Sequence, residues 1–188
     1  MNQQHHSLDQ QRAEFCDRPF YAMPLAGTLA WGLIGLLSPL FGMFGKVYLV
    51  FILTGSIFGL GILIAKITGE DLLGKHRPKN VFDGLFMASV GSAWLVFAIA
   101  VPFFRQDPTS LPLSIGILAG LMWLPFSWII QHWVGYFHGI VRTLLLVVAW
   151  YLWPEHRFTV LPAIIVCIYL VTLIALARRQ RQMKRALA

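Results

Sequence analysis

Arg142 is the residue whose type and position point most strongly to chemistry. It comes seven residues after Gly135 in a stretch that is otherwise free of charge, and a cation at that depth in a bilayer costs about 2.5 to 3.5 kcal/mol. A helical side chain leans toward the N-terminus of its helix, so the guanidinium should reach toward the end where this stretch begins. Asp83 opens another apolar stretch on the same side. We therefore predict an ion pair between Asp83 and Arg142.

Two roles fit this predicted pair. It could be a buried clasp between two helices, or part of an anion site on the side of the termini with Lys66 as a second cation.

His138 precedes Arg142 by one helical turn on the same face, and His132 comes six residues earlier than His138. Metal ligands on one helix prefer a spacing of three or four, and neither Cys nor Glu joins these histidines, so we predict a hydrogen-bonded interfacial histidine and no metal. A proton-relay role for His138 stays open.

Three tryptophans, Trp31, Trp94 and Trp123, fall near the middle of apolar stretches. Indole rings usually lie at the ends of such stretches, where lipid meets water. If the rings converge, they could line an apolar or cation-binding cavity, with Thr54 and Ser56 supplying hydroxyls. If they diverge, they fill space between helices, which is the outcome we favour.

The elements that must position these residues are six stretches with almost no charge. A bilayer core about 30 Å thick needs roughly 20 helical residues, and each stretch is close to that length. The composition agrees, with 57% hydrophobic and 12% charged residues, too little charge to cover a water-facing surface. We predict an all-α, polytopic transmembrane bundle of six spans: 22–41, 47–67, 82–104, 111–130, 135–152 and 158–177.

The rest of the chain is short. We predict an N-terminal segment over 1–21, a transmembrane domain over 22–177 and a basic tail over 178–188. Ser7 and Gln10 fit a capping box at the start of a short surface helix. Pro125 and Pro39 should kink or end their spans, because proline lacks an amide proton and clashes with the preceding turn.

The basic residues predict the orientation. Most of the 15 Lys and Arg residues fall on one side if the N-terminus is cytoplasmic, as the positive-inside rule requires. We therefore predict a multi-pass protein of the inner (plasma) membrane with both termini in the cytoplasm.

Several functions lack their usual residues. The chain contains no phosphate-binding glycine loop, His-Glu-x-x-His or Gly-x-Ser-x-Gly motif, so we predict no catalytic residue and no cofactor. The expected partners are membrane lipids and, through glycine pairs that allow close helix contact, a second copy or a partner subunit; no nucleic acid is expected. The glycine pairs are Gly55 with Gly59 and Gly116 with Gly120.

Three strings carry a family resemblance: 19–27, 58–61 followed by Lys66, and 124–128. They resemble an uncharacterised bacterial family of small six-span integral membrane proteins. The resemblance covers most of the chain and implies membrane location and helix count. It implies no activity, and no catalytic residue is carried over from it.

Three functions remain in competition. The first is a small transporter-like or ligand-binding bundle with a central cavity near the three tryptophans and with Arg142 and Asp83 at one end. The second is an accessory or scaffold subunit of a larger membrane complex, whose charges only set topology. The third, a lipid-modifying enzyme, requires an acid, a base or a metal that the sequence does not display.

Overall fold

The computed structural model of this chain describes residues 6–74 and 78–186. Within those ranges the protein is all helical, with nine α-helices, three short 3-10 turns and no strand. The α-helices are α1 Leu8–Cys16, α2 Ala22–Leu37, α3 Met43–Thr68, α4 Val81–Leu95, α5 Phe97–Gln106, α6 Leu111–Gly120, α7 Trp123–Ile130, α8 Val134–Leu152 and α9 Arg157–Ala186.

Six segments in the described ranges are long and apolar enough to cross a membrane, which confirms the predicted fold class. Span 3 contains α4 and α5, and span 4 contains α6 and α7. Every predicted span lies within one of the observed segments or overruns it by a single residue. The segments are Ala22–Leu40, Met43–Thr68, Val81–Gln106, Pro108–Ile130, Val134–Leu152 and Pro154–Arg185.

Span 4 is interrupted where Pro125 requires it. Proline has no N–H to give to the carbonyl of Leu121, four residues earlier. That carbonyl instead accepts the N–H of Leu124 at 3.1 Å, the shorter bond of a 3-10 turn. The α-helix therefore stops at Gly120 and resumes at Trp123. Pro39 likewise lies in the 3-10 turn that ends span 1, so both proline predictions are confirmed.

Helix α2 packs mainly against α3 and α9, and α9 also packs against α8 and α6. Small residues allow close packing of α2: Ala22, Ala26 and Ala30 recur every four residues and are fully buried, and a Cβ added to Gly35 would lie 3.3 Å from Pro162 of α9. On the same helix, a Cβ added to Gly27 would lie 2.4 Å from the Tyr169 ring. Glycine at this position is what allows the tyrosine to reach the middle of the bundle.

Helix α1 caps the end of the bundle at which the last turns of α9 also lie, called the terminal end below. The predicted capping box is present, because Ser7 Oγ accepts the Gln10 N–H at 3.2 Å and Gln10 Oε1 accepts the Ser7 N–H at 2.8 Å. Phe15 is buried against the rings of Phe82 and Phe86. Arg179 Nη1 donates to the Cys16 carbonyl at 2.9 Å, which joins the two chain ends.

Candidate functional site

Arg142 lies in the middle of α8 and is fully buried. Its Nη1 lies 3.1 Å from His138 Nε2, one turn earlier on the same helix. The rings of Trp31 and Tyr169 flank its guanidinium carbon, with centroids at 5.7 and 5.5 Å. A neutral imidazole and two aromatic faces therefore surround this cation, and such faces attract a desolvated guanidinium.

The hydrogen bonds around His138 fix its tautomer. The Thr172 hydroxyl donates to the Ile168 carbonyl at 2.8 Å, so its oxygen can only accept from His138 Nδ1, which lies 2.9 Å away. Nδ1 therefore carries the proton, and the bare Nε2 accepts from Arg142. His138 also stacks on Trp123 with ring centroids 4.2 Å apart. The predicted hydrogen-bonded histidine is thus an acceptor that orients the arginine.

One edge of the Arg142 guanidinium remains without a partner. Nε and Nη2 are buried and make no well-aligned hydrogen bond to any residue that the structure describes, and the Tyr169 hydroxyl is the polar group that interacts with the guanidinium from α9. A Cβ added to Gly120 on α6 would lie 3.3 Å from Arg142 Cδ and 3.5 Å from Nε. Glycine at position 120 therefore leaves this edge free of an overlying side chain.

The predicted ion pair between Asp83 and Arg142 is wrong. Asp83 Oδ1 instead accepts a hydrogen bond from Arg18 Nη1. The reason is depth and direction: Asp83 lies in the first turn of α4 at the terminal end, whereas Arg142 lies eight residues, or about 12 Å, along α8. Helix α4 packs against α1 and α7, so its carboxylate meets the segment that follows α1.

Lys66 does not join Arg142. It lies in the last turn of α3 and is exposed, on a helix at the edge of the bundle. The predicted anion site, in which Arg142 and Lys66 act together, is therefore not formed. Of these two cations, Arg142 alone lies at the centre of the bundle.

The three central tryptophans do converge, contrary to the preference for space-filling. Trp31, Trp94 and Trp123 all line one open-sided pocket of about 80 Å³, together with Thr54 and Tyr169. We call it the tryptophan pocket. Trp31 and Trp123 are buried in its inner wall, while Trp94 is 55% exposed at its outer side. Ser56 is not among the lining residues.

The tryptophan pocket is open because α3 and α4 barely touch within the described residues. Gly55 lines the pocket, and a Cβ added there or at Gly59 would meet no atom within 4 Å. This glycine pair therefore does not pack against a neighbouring helix of the same chain. Gly116 and Gly120 do pack as expected, against Leu146 and Arg142 of α8.

Two further pockets continue from the tryptophan pocket to the terminal end. The first, about 30 Å³, shares Met23, Met122 and Trp123 with it. The second, about 240 Å³, lies beside Arg18 and Glu70. The lining residues change from aromatic rings at the centre to charged side chains at the terminal end.

Glu70 marks the polar end of this path. Its carboxylate accepts the backbone N–H groups of Tyr21 and Ala22 at 3.0 and 3.1 Å, at the start of α2, where the helix dipole favours an anion. The Thr68 hydroxyl also donates to it, at 3.1 Å. Burial nevertheless raises the pKa of Glu70 above its usual value.

Sequence reasoning missed Tyr169, Thr172 and Arg18 as parts of the site. Tyr169 and Thr172 are separated by one helical turn in the middle of span 6. Polar groups at that depth are a usable signal, because lipid offers them no partner. Arg18 lies outside the predicted spans, and nothing in the sequence indicates which carboxylate it contacts.

Six membrane-length helices around a buried polar centre define the class: a multi-pass helical membrane protein. The chain belongs to a family of unknown function, DUF7010, whose model matches residues 9–179. The resemblance to an uncharacterised family is thereby confirmed. No curated protein and no solved structure matches the chain.

Proposed function

We propose that this protein is a ligand-binding bundle that takes an apolar or amphiphilic small molecule from the bilayer into the tryptophan pocket. The observation that carries this proposal is the convergence of Trp31, Trp94 and Trp123 on one pocket at mid-span. Apolar, aromatic walls with few polar groups are typical of small-molecule sites. The three tryptophans are ligand-contact candidates, and Arg142 and His138 are candidates for the polar part of the site.

The gap between α3 and α4 provides the entrance in this proposal. In the most apolar stretch of span 2, 17% of the residues are buried within the protein. The fraction is 28% in span 3 and 50% in span 4. Lipid therefore covers most of the two helices beside the gap. A ligand dissolved in the bilayer reaches the pocket sideways, without crossing the charged end of the bundle.

A transporter-like role extends this proposal. The two pockets that follow the tryptophan pocket lead toward Arg18, Asp83 and Glu70, so an amphiphile could pass between the bilayer centre and the terminal end. We place that end in the cytoplasm and the protein in the plasma membrane, because the basic tail and Arg12, Arg18 and Lys66 lie there. Reporter fusions to both termini test this orientation.

Photolabelling in lipid nanodiscs tests the binding proposal. The probe is the methyl ester of a photoreactive dodecanoic acid with a diazirine in its chain, and labelled peptides are located by mass spectrometry. Leu144, an exposed residue of α8, serves as the reference for ordinary contact with lipid. Labelling of pocket residues on α3, α4 and α6 should exceed that of Leu144 several-fold.

Two matched glycine variants make this test specific. Gly55→Leu places a side chain in the pocket where nothing lies within 4 Å, so the fold is kept and the pocket is filled. Gly91→Leu is the control, because Gly91 has equally open surroundings but does not line the pocket. Labelling should fall about fivefold or more in Gly55→Leu alone. Equal labelling of both variants and the wild type would contradict the proposal.

An accessory or scaffold subunit is the second candidate function. The open space beside Gly59, Gly84 and Gly91 favours it, since small residues on an outer face allow another helix to approach closely. Native mass spectrometry from mild detergent separates the two candidates. A retained small molecule supports ligand binding, and a stoichiometric protein partner, or a second copy, supports the accessory role.

A further inference from the structure

The free edge of Arg142 has the geometry of a binding site. Nε and Nη2 are buried and lack partners in the described part of the chain. Their N–H bonds lie in the plane of the guanidinium, along one edge, and are nearly parallel. Two oxygens of one planar group can therefore accept both. Leaving two donors of a buried cation unmet is costly. A site of this kind is stable when an acceptor fills it.

This edge lies close behind the wall of the tryptophan pocket. Trp31 and Tyr169 line the pocket and flank the guanidinium at 5.7 and 5.5 Å. Ala119 lines the pocket as well, and the next residue is Gly120, whose backbone packs so closely on Arg142 that an added Cβ would lie 3.3 Å from Cδ. Trp31 and Tyr169 thus separate the fully buried cation from the space proposed for the ligand, and a ligand group contacts Arg142 when one of these rings turns aside.

We infer that the ligand of the tryptophan pocket is an amphiphilic monocarboxylate. In the bound state the Tyr169 ring has turned aside, the carboxylate accepts from Nε and Nη2 of Arg142, and the alkyl chain lies among the tryptophans. This inference rests on the proposed function and adds the chemical class of the ligand.

Charge and geometry select this class. Arg142 faces the neutral tautomer of His138, so one negative charge balances the site, whereas a doubly charged phosphate would leave an excess anion at low dielectric. A single carboxylate also satisfies both donors at once. An ester lacks the charge and its alkoxy oxygen is a weak acceptor, and an alcohol lacks both the charge and a second oxygen.

Competition against the photoreactive ester in wild-type protein tests the inference without any substitution. The competitors are dodecanoate and methyl dodecanoate at pH 8, where an exposed carboxyl group is ionised. Dodecanoate should displace the probe from the pocket at a concentration at least about tenfold lower. Equal potency would overturn the inference and leave the proposed function standing. The proposed function would instead be defeated if the probe labels pocket residues no more than Leu144 and if Gly55→Leu leaves that labelling unchanged.

Substitutions assign the preference to Arg142. In Arg142→Gln the acid-to-ester ratio should fall to about 1, and in Arg142→Lys, which keeps the charge but not the paired donors, it should fall part of the way. Gly120→Ala adds a Cβ 3.3 Å from Arg142 Cδ and should lower the ratio while ester binding is kept. Gly91→Ala, which meets nothing within 4 Å, is its control. If Arg142→Gln does not fold, the wild-type competition and Gly120→Ala decide. A full acid preference in folded Gly120→Ala and Arg142→Gln proteins would contradict a site at this edge.

Discussion

Arginine side chains at the two ends of the bundle have carboxylate partners, whereas the arginine at its centre has none among the described residues. At the terminal end Arg18 pairs with Asp83, and at the opposite end Arg157 lies 3.7 Å from Asp107 and 2.5 Å from the Thr109 hydroxyl. At the centre Arg142 has a neutral histidine, two aromatic rings and one free edge. A carboxylate balances the charge where water is near. The centre is left with a net charge that a ligand can meet.

The largest expected effect comes from removing the acceptor at the centre. His138→Ala deletes the partner of Arg142 Nη1 and the ring stacked on Trp123, and it leaves a cavity. We expect a loss of about 3 kcal/mol in the free energy of unfolding, measured by denaturing-detergent titration.

His132→Ala is the matched control for this substitution. His132 lies in the turn between α7 and α8, is half-buried, and its ring accepts a long hydrogen bond of 3.3 Å from the Val134 N–H, so its loss should cost about 1 kcal/mol or less. Equal destabilisation by the two histidine variants would contradict the assignment of His138 as the orienting acceptor.

A double-mutant cycle sharpens the contrast between end and centre. Asp83→Asn with Arg18→Gln should show a coupling of about 1 to 2 kcal/mol, because both side chains are mostly buried, at 26% and 14% exposed. Asp83→Asn with Arg142→Lys should show no coupling. The cycle isolates each pair from the other contacts of Asp83. Coupling to Arg142 rather than Arg18 would restore the ion pair that the sequence predicted.

Thr172→Val tests the hydrogen bond that fixes the tautomer of His138, and a smaller effect is expected. The substitution keeps the volume but removes the oxygen that accepts from Nδ1, which should cost about 1 to 2 kcal/mol. Thr143→Val is the control, since the Thr143 hydroxyl donates to the Gly139 carbonyl of its own helix, 2.8 Å away. If both variants unfold at the same detergent fraction, Thr172 does not hold the tautomer.

The smallest effect is a pH dependence at the terminal end. Burial raises the pKa of Glu70 above the usual 4.5, so the folded state takes up this proton before the unfolded state does. As the pH falls from neutral toward about 4.5, this group therefore adds to the free energy of unfolding. Glu70→Gln cannot titrate, and the difference between wild type and variant should move in favour of the wild type on acidification. Parallel profiles would show that Glu70 keeps its ordinary pKa.

From the sequence, the depth of a residue along its span was predicted well, and the neighbouring helix that its side chain faces was predicted poorly. Apolar length placed all six spans, and the chemistry of Pro125 predicted the break in span 4, because both depend on neighbours along the chain. The partner of Asp83 was predicted wrongly, since depth alone does not say which helix faces which. The same gap hid the convergence of the tryptophans. It also hid Thr172, which reaches His138 from a different span.

The most direct test of the central claim is the ¹⁵N NMR signal of the Arg142 Nε–H group in nanodiscs. Wild-type protein labelled with ¹⁵N-arginine gives this signal, and Arg142→Lys, which lacks it, provides the assignment. If the free edge binds a carboxylate, dodecanoate shifts the resonance to lower field and slows its exchange with water, while methyl dodecanoate leaves it unchanged. A resonance that responds to neither compound, or equally to both, would contradict the account.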